Sequence, residues 1–326
     1  QITPTTSPTP RTAQMAYDPA TQHIVLLGGF ASSTWQLDCW AWDGATWTPR
    51  GNLPEPTRAL GYDDGTALFV VTGTANVSVA SGSSWVPLWL DPNPAGRVYP
   101  AFAYDPTRGE TLLVRDVPAS DTWTWNGTWQ QRTANSPPFS SGAAMAPRGN
   151  TMILFGGRDP SIWPTYALND DTWSWDGQAW TQLQPAQRPS PRMWHAMVDA
   201  GTYTLLFGGV DATGDLGDTW SFDGTNWTPL ATATSPSPRF QTAMAFDTQR
   251  QRAVLFGGMD HQITLQDTWE WDGVTWIPFS PMHQPLGGNW PMAYEGAAGS
   301  VVLADYNGIW AWHGVDWTQT QAIGAF

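Results

Sequence analysis

The chain has 326 residues, of which 41% are hydrophobic and 13% aromatic, so its composition predicts a globular protein with an ample core. Its 28 acidic residues outnumber 14 basic ones, and the net charge of −14 argues against nucleic acid as a partner, because a phosphate backbone would be repelled. No stretch approaches the roughly 20 apolar residues that span a bilayer, and Cys39, the single cysteine, excludes an internal disulfide.

The first residues read QITPTTSPTPR, a linker-like segment that begins at Gln1. Removal of a signal peptide would explain such a start, and so would trimming of the chain. We expect an exported protein, either secreted or held at the cell surface.

One ten-residue stretch recurs along the chain, as DTWSWDGQAW (171–180), DTWSFDGTNW (218–227) and DTWEWDGVTW (267–276). Its last Trp has counterparts throughout, at Trp47, Trp85, Trp129, Trp180, Trp227, Trp276 and Trp317. Self-similarity at a fixed period is the signature of a repeat architecture. The sequence therefore predicts seven units, approximately at 10–49, 56–87, 96–131, 139–183, 191–230, 238–279 and 288–320.

Each unit contains four strand-like pieces, which we call a, b, c and d. In the sixth unit they are PRFQTAMAFD (238–247), RAVLFGG (252–258), DTWEWDG (267–273) and TWIPF (275–279). Asp-Gly or Asn-Gly between c and d suits a tight hairpin, because both central residues can take positive φ. Each unit is thus predicted to be an antiparallel meander, without helical periodicity.

A single four-stranded sheet with two apolar faces has to stack on its neighbours, and radial stacking makes a β-propeller. Trp173 and Trp175 are two residues apart in strand c, so they share a face and can fill the gap between adjacent blades. The predicted fold is all-β: one domain over 1–326, a propeller of seven blades with four antiparallel strands each.

Glycine pairs close strand b after an apolar run in four units, at Gly28-Gly29, Gly156-Gly157, Gly208-Gly209 and Gly257-Gly258. Together with the following Asp-Thr-Trp strand and the terminal Trp, they resemble the kelch repeat. Units two, three and seven depart from this pattern with VVTGT (70–74), LLVRD (112–116) and VVLAD (301–305). The resemblance implies a kelch-type propeller over essentially the whole chain.

The two ends leave ring closure open. Gln1-Ile2 stands where a d strand would end, and the seventh unit has its own tail, 319–326. We take 1–9 and 319–326 as terminal edge or closure segments. Closure within the chain and donation of a terminal strand to another molecule both fit.

Five Trp residues lie off the repeat template and are therefore candidates for ligand contact: Trp35, Trp89, Trp163, Trp194 and Trp290. The kelch resemblance places the b–c and d–a loops on one face, where Trp and Tyr suit stacking on sugars or protein recognition. The long b–c loop 158–170 carries Trp163 and Tyr166. These side chains could instead fold back over their own blade.

Strand a usually opens with an arginine, which can donate two hydrogen bonds to one carboxylate. In a kelch-like ring these residues would sit near the channel entrance and capture an anionic group, as arginines of some kelch adaptors hold acidic peptides. They could also serve only to bind loop carbonyls. The predicted ligand-binding set is Arg11, Arg58, Arg97, Arg192, Arg239, Trp35, Trp163, Tyr166, Trp194 and Trp290.

His195, which follows Met193 and Trp194, is the one weak candidate for catalysis, as a general base beside Arg192 and Arg239. A kelch-like sialic-acid epimerase makes an enzyme acting on an anionic sugar conceivable. The remaining histidines have no metal-ligand spacing, and Cys39 occupies a small c-strand position, which does not fit copper-radical chemistry. Calcium at 211–218 is an alternative with the wrong spacing for an EF-hand. We expect no metal and no cofactor.

Three functions remain in view. The first is an exported, non-catalytic module that binds a protein or a glycan, including an anionic one, through its loop face. The second is an extracellular structural protein that assembles into oligomers or polymers by strand exchange. The third is an epimerase-like enzyme, which requires an accessible His195.

Overall fold

The computed structural model describes most of the chain, and every element that it contains in the described residues is a β-strand. The described residues are 12–18, 23–31, 34–42, 46–52, 57–62, 68–72, 77–81, 84–88, 101–115, 121–126, 129–132, 135–138, 141–159, 167–261, 263–290, 292–295, 299–305 and 308–322.

The strands form four-stranded antiparallel sheets, each in the order a, b, c, d. In chain order they are sheet 1, β1 (Thr12–Asp18), β2 (His23–Ala31), β3 (Thr34–Trp42) and β4 (Trp47–Asn52); sheet 2, β5 (Thr57–Tyr62), β6 (Leu68–Thr72), β7 (Val77–Ser81) and β8 (Ser84–Leu88); sheet 3, β9 (Ala101–Asp105), β10 (Glu110–Arg115), β11 (Asp121–Trp125) and β12 (Trp129–Arg132); sheet 4, β13 (Ala144–Arg148), β14 (Thr151–Phe155), β17 (Thr172–Trp175) and β18 (Trp180–Leu183); sheet 5, β19 (Ala196–Asp199), β20 (Thr204–Phe207), β23 (Thr219–Phe222) and β24 (Trp227–Pro229); sheet 6, β25 (Ala243–Asp247), β26 (Arg252–Phe256), β27 (Thr268–Trp271) and β28 (Trp276–Phe279); and sheet 7, β29 (Met292–Glu295), β30 (Ser300–Asp305), β31 (Gly308–Trp312) and β32 (Trp317–Ala322).

Two sheets carry an additional hairpin between strands b and c. In sheet 4 the hairpin is β15 (Arg158–Asp159) with β16 (Ala167–Leu168), and in sheet 5 it is β21 (Val210–Asp211) with β22 (Gly214–Asp215). An isolated bridge joins each hairpin to a residue three positions before strand a. The bridges are Ser141 to Arg158 in sheet 4 and Met193 to Val210 in sheet 5. The b–c and d–a segments are therefore held together at the same end of the blade.

The prediction of seven blades of one kind needs correction. Six of the sheets have described side chains, whereas sheet 2 is described by its backbone alone, so the blades with described side chains number six and not seven. Strand β7 of sheet 2 reads VSVAS and has no Trp to fill a gap between blades. Sheets 4 and 5 keep their four strands, but their b–c segments add a separate two-stranded hairpin to the blade, which the prediction of four strands alone did not include.

The ring closes within the described chain. Sheets 1 and 7 are each built from four consecutive strands, and β1 contacts β29 as well as β5. Residues 319–322, predicted as part of a closure segment, instead belong to β32, which pairs with β31. Residues 1–9 lie outside the described residues.

The hydrophobic cores lie between neighbouring sheets, as the Trp spacing predicts. Trp175 of sheet 4 is fully buried in a cluster with Leu112 and Val114 of sheet 3, and Trp173 packs against the same cluster. Trp271 and Trp276 of sheet 6 meet Phe207 of sheet 5 in the same way. Burying these large aromatic side chains removes apolar area from water and so stabilises the contact between blades.

A repeated hydrogen bond adds direction to this packing. In four interfaces the indole N–H of the d-strand Trp donates to the hydroxyl of the c-strand Thr in the preceding sheet, at 2.8–2.9 Å. The four pairs are Trp180 with Thr122, Trp227 with Thr172, Trp276 with Thr219, and Trp317 with Thr268. A buried indole N–H requires such a partner, which explains a small hydroxyl residue at this position.

The glycine pair after strand b serves the same interface. Gly208 has a φ of +67°, and a Cβ there would lie 2.6 Å from the carbonyl oxygen of Arg239 in the next sheet. The N–H of Gly209 donates to that same carbonyl at 2.8 Å. Only glycine permits both the positive φ and the close backbone approach, so the pair docks one blade on the next.

Candidate functional site

Arg192 lies in the d–a segment before β19 and is only 1% exposed. Its guanidinium donates to both carboxylate oxygens of Asp218, at 2.7 and 2.8 Å, and to the carbonyl oxygens of Gly208 and Ser190. Asp218 opens strand c of the same sheet, and it also accepts the indole N–H of Trp220 at 2.6 Å. The guanidinium therefore clamps the d–a segment onto the b–c end of its own blade.

Arg239 repeats this clamp in sheet 6. It is 0% exposed and donates to Asp267 at 2.5 and 2.8 Å and to the carbonyl of Gly257 at 2.9 Å. Burial by itself would raise the pKa of Asp218 and of Asp267, but the hydrogen bonds and charge of the arginines, with the indole N–H groups, lower both pKa values below the usual range.

Of the predicted ring of arginines, only Arg192 and Arg239 have described side chains. Arg192 and Arg239 direct their guanidiniums into the blade, with internal carboxylates as partners. Arg58 lies in β5, whose side chains are not described, and Arg11 and Arg97 lie outside the described residues. A ligand-binding role for the ring stays a prediction.

His195 lies in the interface between sheets 4 and 5 and is 6% exposed. Its ring packs edge-on against Phe155 of sheet 4, at 5.5 Å between centroids, and a Cβ on Gly156 would approach its Cε1 at 3.1 Å. Burial, aided by the positive charge of Arg192, lowers the pKa of His195 to about 3. This neutral, enclosed imidazole cannot reach a substrate at the surface, which removes the basis for the enzyme hypothesis.

The aromatic residues outside the repeat template lie in different environments. Trp290 is 6% exposed, packs in the core between sheets 6 and 7, and donates to the carbonyl of Leu286 at 2.6 Å, so it folds back over its own blade. Trp35 lies in β3, where its side chain is not described. Trp89, Trp163 and Tyr166 lie outside the described residues.

Trp194 occupies a different position, at the surface of the loop end. Its ring stacks on Phe240 of the next sheet, with 5.7 Å between centroids and 29° between planes. Phe240 in turn meets His261, at 5.5 Å, and His261 pairs with Asp215 at 2.6 Å. We call Trp194, Phe240, His261, Asp215 and the nearby Ile263 the loop-face cluster.

The backbone beneath this cluster is fixed. Trp194 has a φ of +58° and Gln241, its equivalent in sheet 6, a φ of +52°, which costs a non-glycine residue free energy. The N–H of Trp194 donates to the carbonyl of Gly142 in sheet 4, and the N–H of Gln241 donates to the carbonyl of Trp194, both at 2.8 Å. These bonds join three blades and hold the Trp194 backbone in place.

The cluster combines an aromatic pair with exposed groups. Trp194 and Phe240 are half-buried, whereas His261 is 62% and Ile263 59% exposed. The repeat pattern led to Trp194 but missed Phe240, His261, Asp215 and Ile263. The sequence contains one usable signal for this cluster, because an aromatic residue follows each clamping arginine. Trp194 is two positions after Arg192, and Phe240 directly follows Arg239.

The described residues include no group of three or more potential metal ligands. In the segment 211–218, Asp211 accepts from the N–H and hydroxyl of Thr213, Asp215 pairs with His261, and Asp218 binds Arg192. Each carboxylate that was considered for calcium thus has a protein partner. In the part of the chain that is described, no helix is long and apolar enough to cross a membrane.

A family model described as the KLHDC2/KLHL20/DRC7 Kelch-repeats domain matches residues 107–302. No curated protein matches the chain. The matched segment is 196 of 326 residues, more than half, and it covers sheets 4, 5 and 6 with their glycine pairs and the arginine clamps of sheets 5 and 6. The chain therefore belongs to the kelch-repeat β-propeller family.

Proposed function

We propose that this protein is a non-catalytic interaction module whose protein partner docks on the loop-face cluster. Kelch propellers generally bind protein partners. The observation that carries the proposal is the Trp194–Phe240 pair, which lies at the surface on a backbone tied across three blades. Rigid aromatic anchors beside exposed apolar and charged groups are typical of the residues that dominate binding energy at interfaces.

The charges of the cluster support recognition of a polypeptide. The His261–Asp215 pair offers a hydrogen-bonding rim beside the aromatic pair, and Ile263 extends its apolar surface. The net charge of −14 favours a partner with basic residues, because long-range attraction speeds the encounter.

The experiment is a selection from a displayed peptide library against the intact protein. Peptides that bind the wild type are expected to lose at least about tenfold in affinity with Trp194→Ala and with Phe240→Ala, as central aromatic anchors do. Val274→Ala and Val315→Ala, in exposed c–d turns at the other end of the strands, are the matched controls and should bind normally. Equal binding by all four variants would contradict the proposal.

A glycan is the other ligand class that the aromatic pair suits, since indole and phenyl faces stack on sugar rings. The same variants are therefore tested on a glycan array. A glycan whose binding is lost with Trp194→Ala, in the absence of any peptide hit, would replace the protein partner.

We also propose that the protein is exported. This proposal is supported by the sequence alone. Detection of the native protein in the culture medium or on the cell surface would support it, and recovery only from the cell interior would overturn it.

A further inference from the structure

A cavity of about 600 Å³ lies beside sheet 4, between the d–a segment that enters this sheet and its strands c and d. Asn135, Ser136 and Pro138 form one wall, and Asp171, Trp173 and Gln182 form the other. This volume is within the range of pockets that bind small ligands or side chains.

In sheets 5 and 6 the clamping arginines bind residues that correspond to part of this lining. Asp171 opens strand c as Asp218 does, and Pro138 stands where Ser190 stands when strands a are aligned on Ala144 and Ala196. Arg192 binds both Asp218 and Ser190. The residues equivalent to two of its three partners, Asp218 and Ser190, therefore line the cavity of sheet 4.

Sheet 4 has no arginine of its own for this position, because the residue aligned with Arg192 is Ser140. Among the described residues, no guanidinium lies within ion-pair distance of Asp171; its carboxylate accepts instead from the side-chain amide of Gln182, at 2.9 Å. Arg188, in the d–a segment that follows sheet 4, pairs with the neighbouring Asp170. In sheet 4 a neutral amide is thus the donor to the carboxylate that a guanidinium binds in sheets 5 and 6.

The hydrogen bonding of the Trp173 indole also differs from that in sheets 5 and 6. In sheets 5 and 6 the equivalent Trp220 and Trp269 donate to the clamped Asp at 2.6 Å, whereas the buried Nε1 of Trp173 has no hydrogen-bond partner among the described residues. The difference follows the cross-strand neighbour: Gln182 pairs with Trp173, where prolines pair with Trp220 and Trp269. Gln182 competes for the carboxylate, which a proline cannot do.

We propose that the cavity of sheet 4 is a receptor for the arginine side chain of a protein partner. The guanidinium would take the place that Arg192 and Arg239 fill in the next two blades, with Asp171 as its carboxylate. Amide and hydroxyl groups of Asn135, Ser136 and Gln182 provide further acceptors, and the indole of Trp173 offers a face for cation–π contact. The proposal deepens the proposed function by naming a basic residue that the partner must present.

The test uses Nα-acetyl-arginine amide as the probe, with the neutral Nα-acetyl-citrulline amide as its matched control, and the intact protein with ¹⁵N-labelled tryptophan. We expect a saturable shift of the Trp173 indole signal, assigned by Trp173→Phe, with the arginine probe only. Asp171→Asn should weaken binding at least about tenfold, since it removes hydrogen bonds to a charged group. Asp170→Asn, the control for charge, should bind normally.

Ser140→Arg supplies the internal guanidinium and should abolish the titration, with the Trp173 signal of the free variant already near its ligand-bound position. Equal shifts with the two probes, or equal affinities of Asp171→Asn and Asp170→Asn while the other indole signals show an intact fold, would overturn the proposal. Tighter binding of free arginine than of the amide would overturn the partner protein as the source. Trp194→Ala should titrate as wild type does, so a failure at the loop-face cluster is distinguishable from a failure here.

Discussion

Sheets 5 and 6 and sheet 4 use the same carboxylate position in opposite ways. In sheets 5 and 6 a buried arginine saturates the Asp that opens strand c, and the blade end is closed by its own side chains. In sheet 4 the arginine is absent, the Asp faces a cavity, and an indole N–H is left without a partner among the described residues. Repeat residues that match the pattern thus serve the fold, and a departure from the pattern leaves a site open.

The largest expected effect is loss of a clamp. Arg192→Ala and Arg239→Ala should each lower the free energy of unfolding by about 3 kcal/mol, near the lower end of the cost of breaking a buried ion pair, because Asp218 and Asp267 remain 39% exposed. Chemical denaturation measures the loss. Arg188→Ala removes only a half-exposed pair with Asp170 and should change stability by less than about 1 kcal/mol. If all three variants lost the same stability, the buried clamps of sheets 5 and 6 would contribute no more than the half-exposed Arg188–Asp170 pair.

The next effect concerns the Thr–Trp hydrogen bonds between sheets. Thr219→Val keeps the side-chain shape but leaves the N–H of the fully buried Trp276 without an acceptor, which should cost about 1–3 kcal/mol. Thr228→Val, at an exposed position of the adjacent strand d, is the matched control. The interfaces after sheets 1, 2 and 7 have Cys39, Val77 and Ile309 at the Thr position and cannot form this hydroxyl bond. If Thr219→Val were as stable as Thr228→Val, packing alone would determine the interface.

A further effect is a pH dependence that separates sheet 5 from sheet 6, and per pH unit it is smaller than the loss of a clamp. His195 has a pKa of about 3 in the folded protein and about 6.5 when unfolded, so the unfolded chain binds the proton first and stability falls as the pH drops from about 6.5 towards 3. The slope should be about 1.4 kcal/mol per pH unit within this window.

Sheet 6 has Thr242 at this position, with its hydroxyl bonded to the Phe256 and Gly257 carbonyls. His195→Thr should therefore remove the His contribution to the slope between pH 6.5 and about 4, whatever its effect on stability at neutral pH. An unchanged slope, measured by denaturation at several pH values, would mean that another group titrates. The lowered pKa values of Asp218 and Asp267 act below the unfolded value of about 3.9, where their stabilising charge is lost. The raised pKa values of Glu110 and Asp199 oppose the His195 slope in the upper window, and His195→Thr leaves their contribution in place.

Much of the fold could be predicted from local pattern. The four strand pieces of the sixth unit correspond to β25 to β28. Strand a begins only at Ala243, because residues 238–242 form the clamp and the bend, and strands b and c each end two residues before the predicted bound, at Phe256 and Trp271. The packing of Trp175 between blades followed from the two-residue period of a strand. The b–c hairpins of sheets 4 and 5 were missed, since two-residue strands carry no periodicity.

The site was less predictable. Arg192, His195 and Trp194 are close together in the sequence, yet the first clamps an Asp of its own sheet, the second is buried against sheet 4, and the third lies at the surface on Phe240 of sheet 6. The left-handed φ at Trp194 makes these neighbouring side chains point in different directions. The residue types do not predict this backbone conformation.

The sequence by itself determined the repeat, the antiparallel meander, the stacking of Trp-rich sheets and the kelch family, because strand period, turn chemistry and glycine pairs act over a few residues. Only the tertiary structure decided which arginines are internal, which histidine is neutral, which Trp lies half-buried at the loop end and which strand-c carboxylate is bound by an amide in place of a guanidinium. Burial, charge pairing and cavities depend on atoms that different blades bring together, and those distances are not written in any one unit.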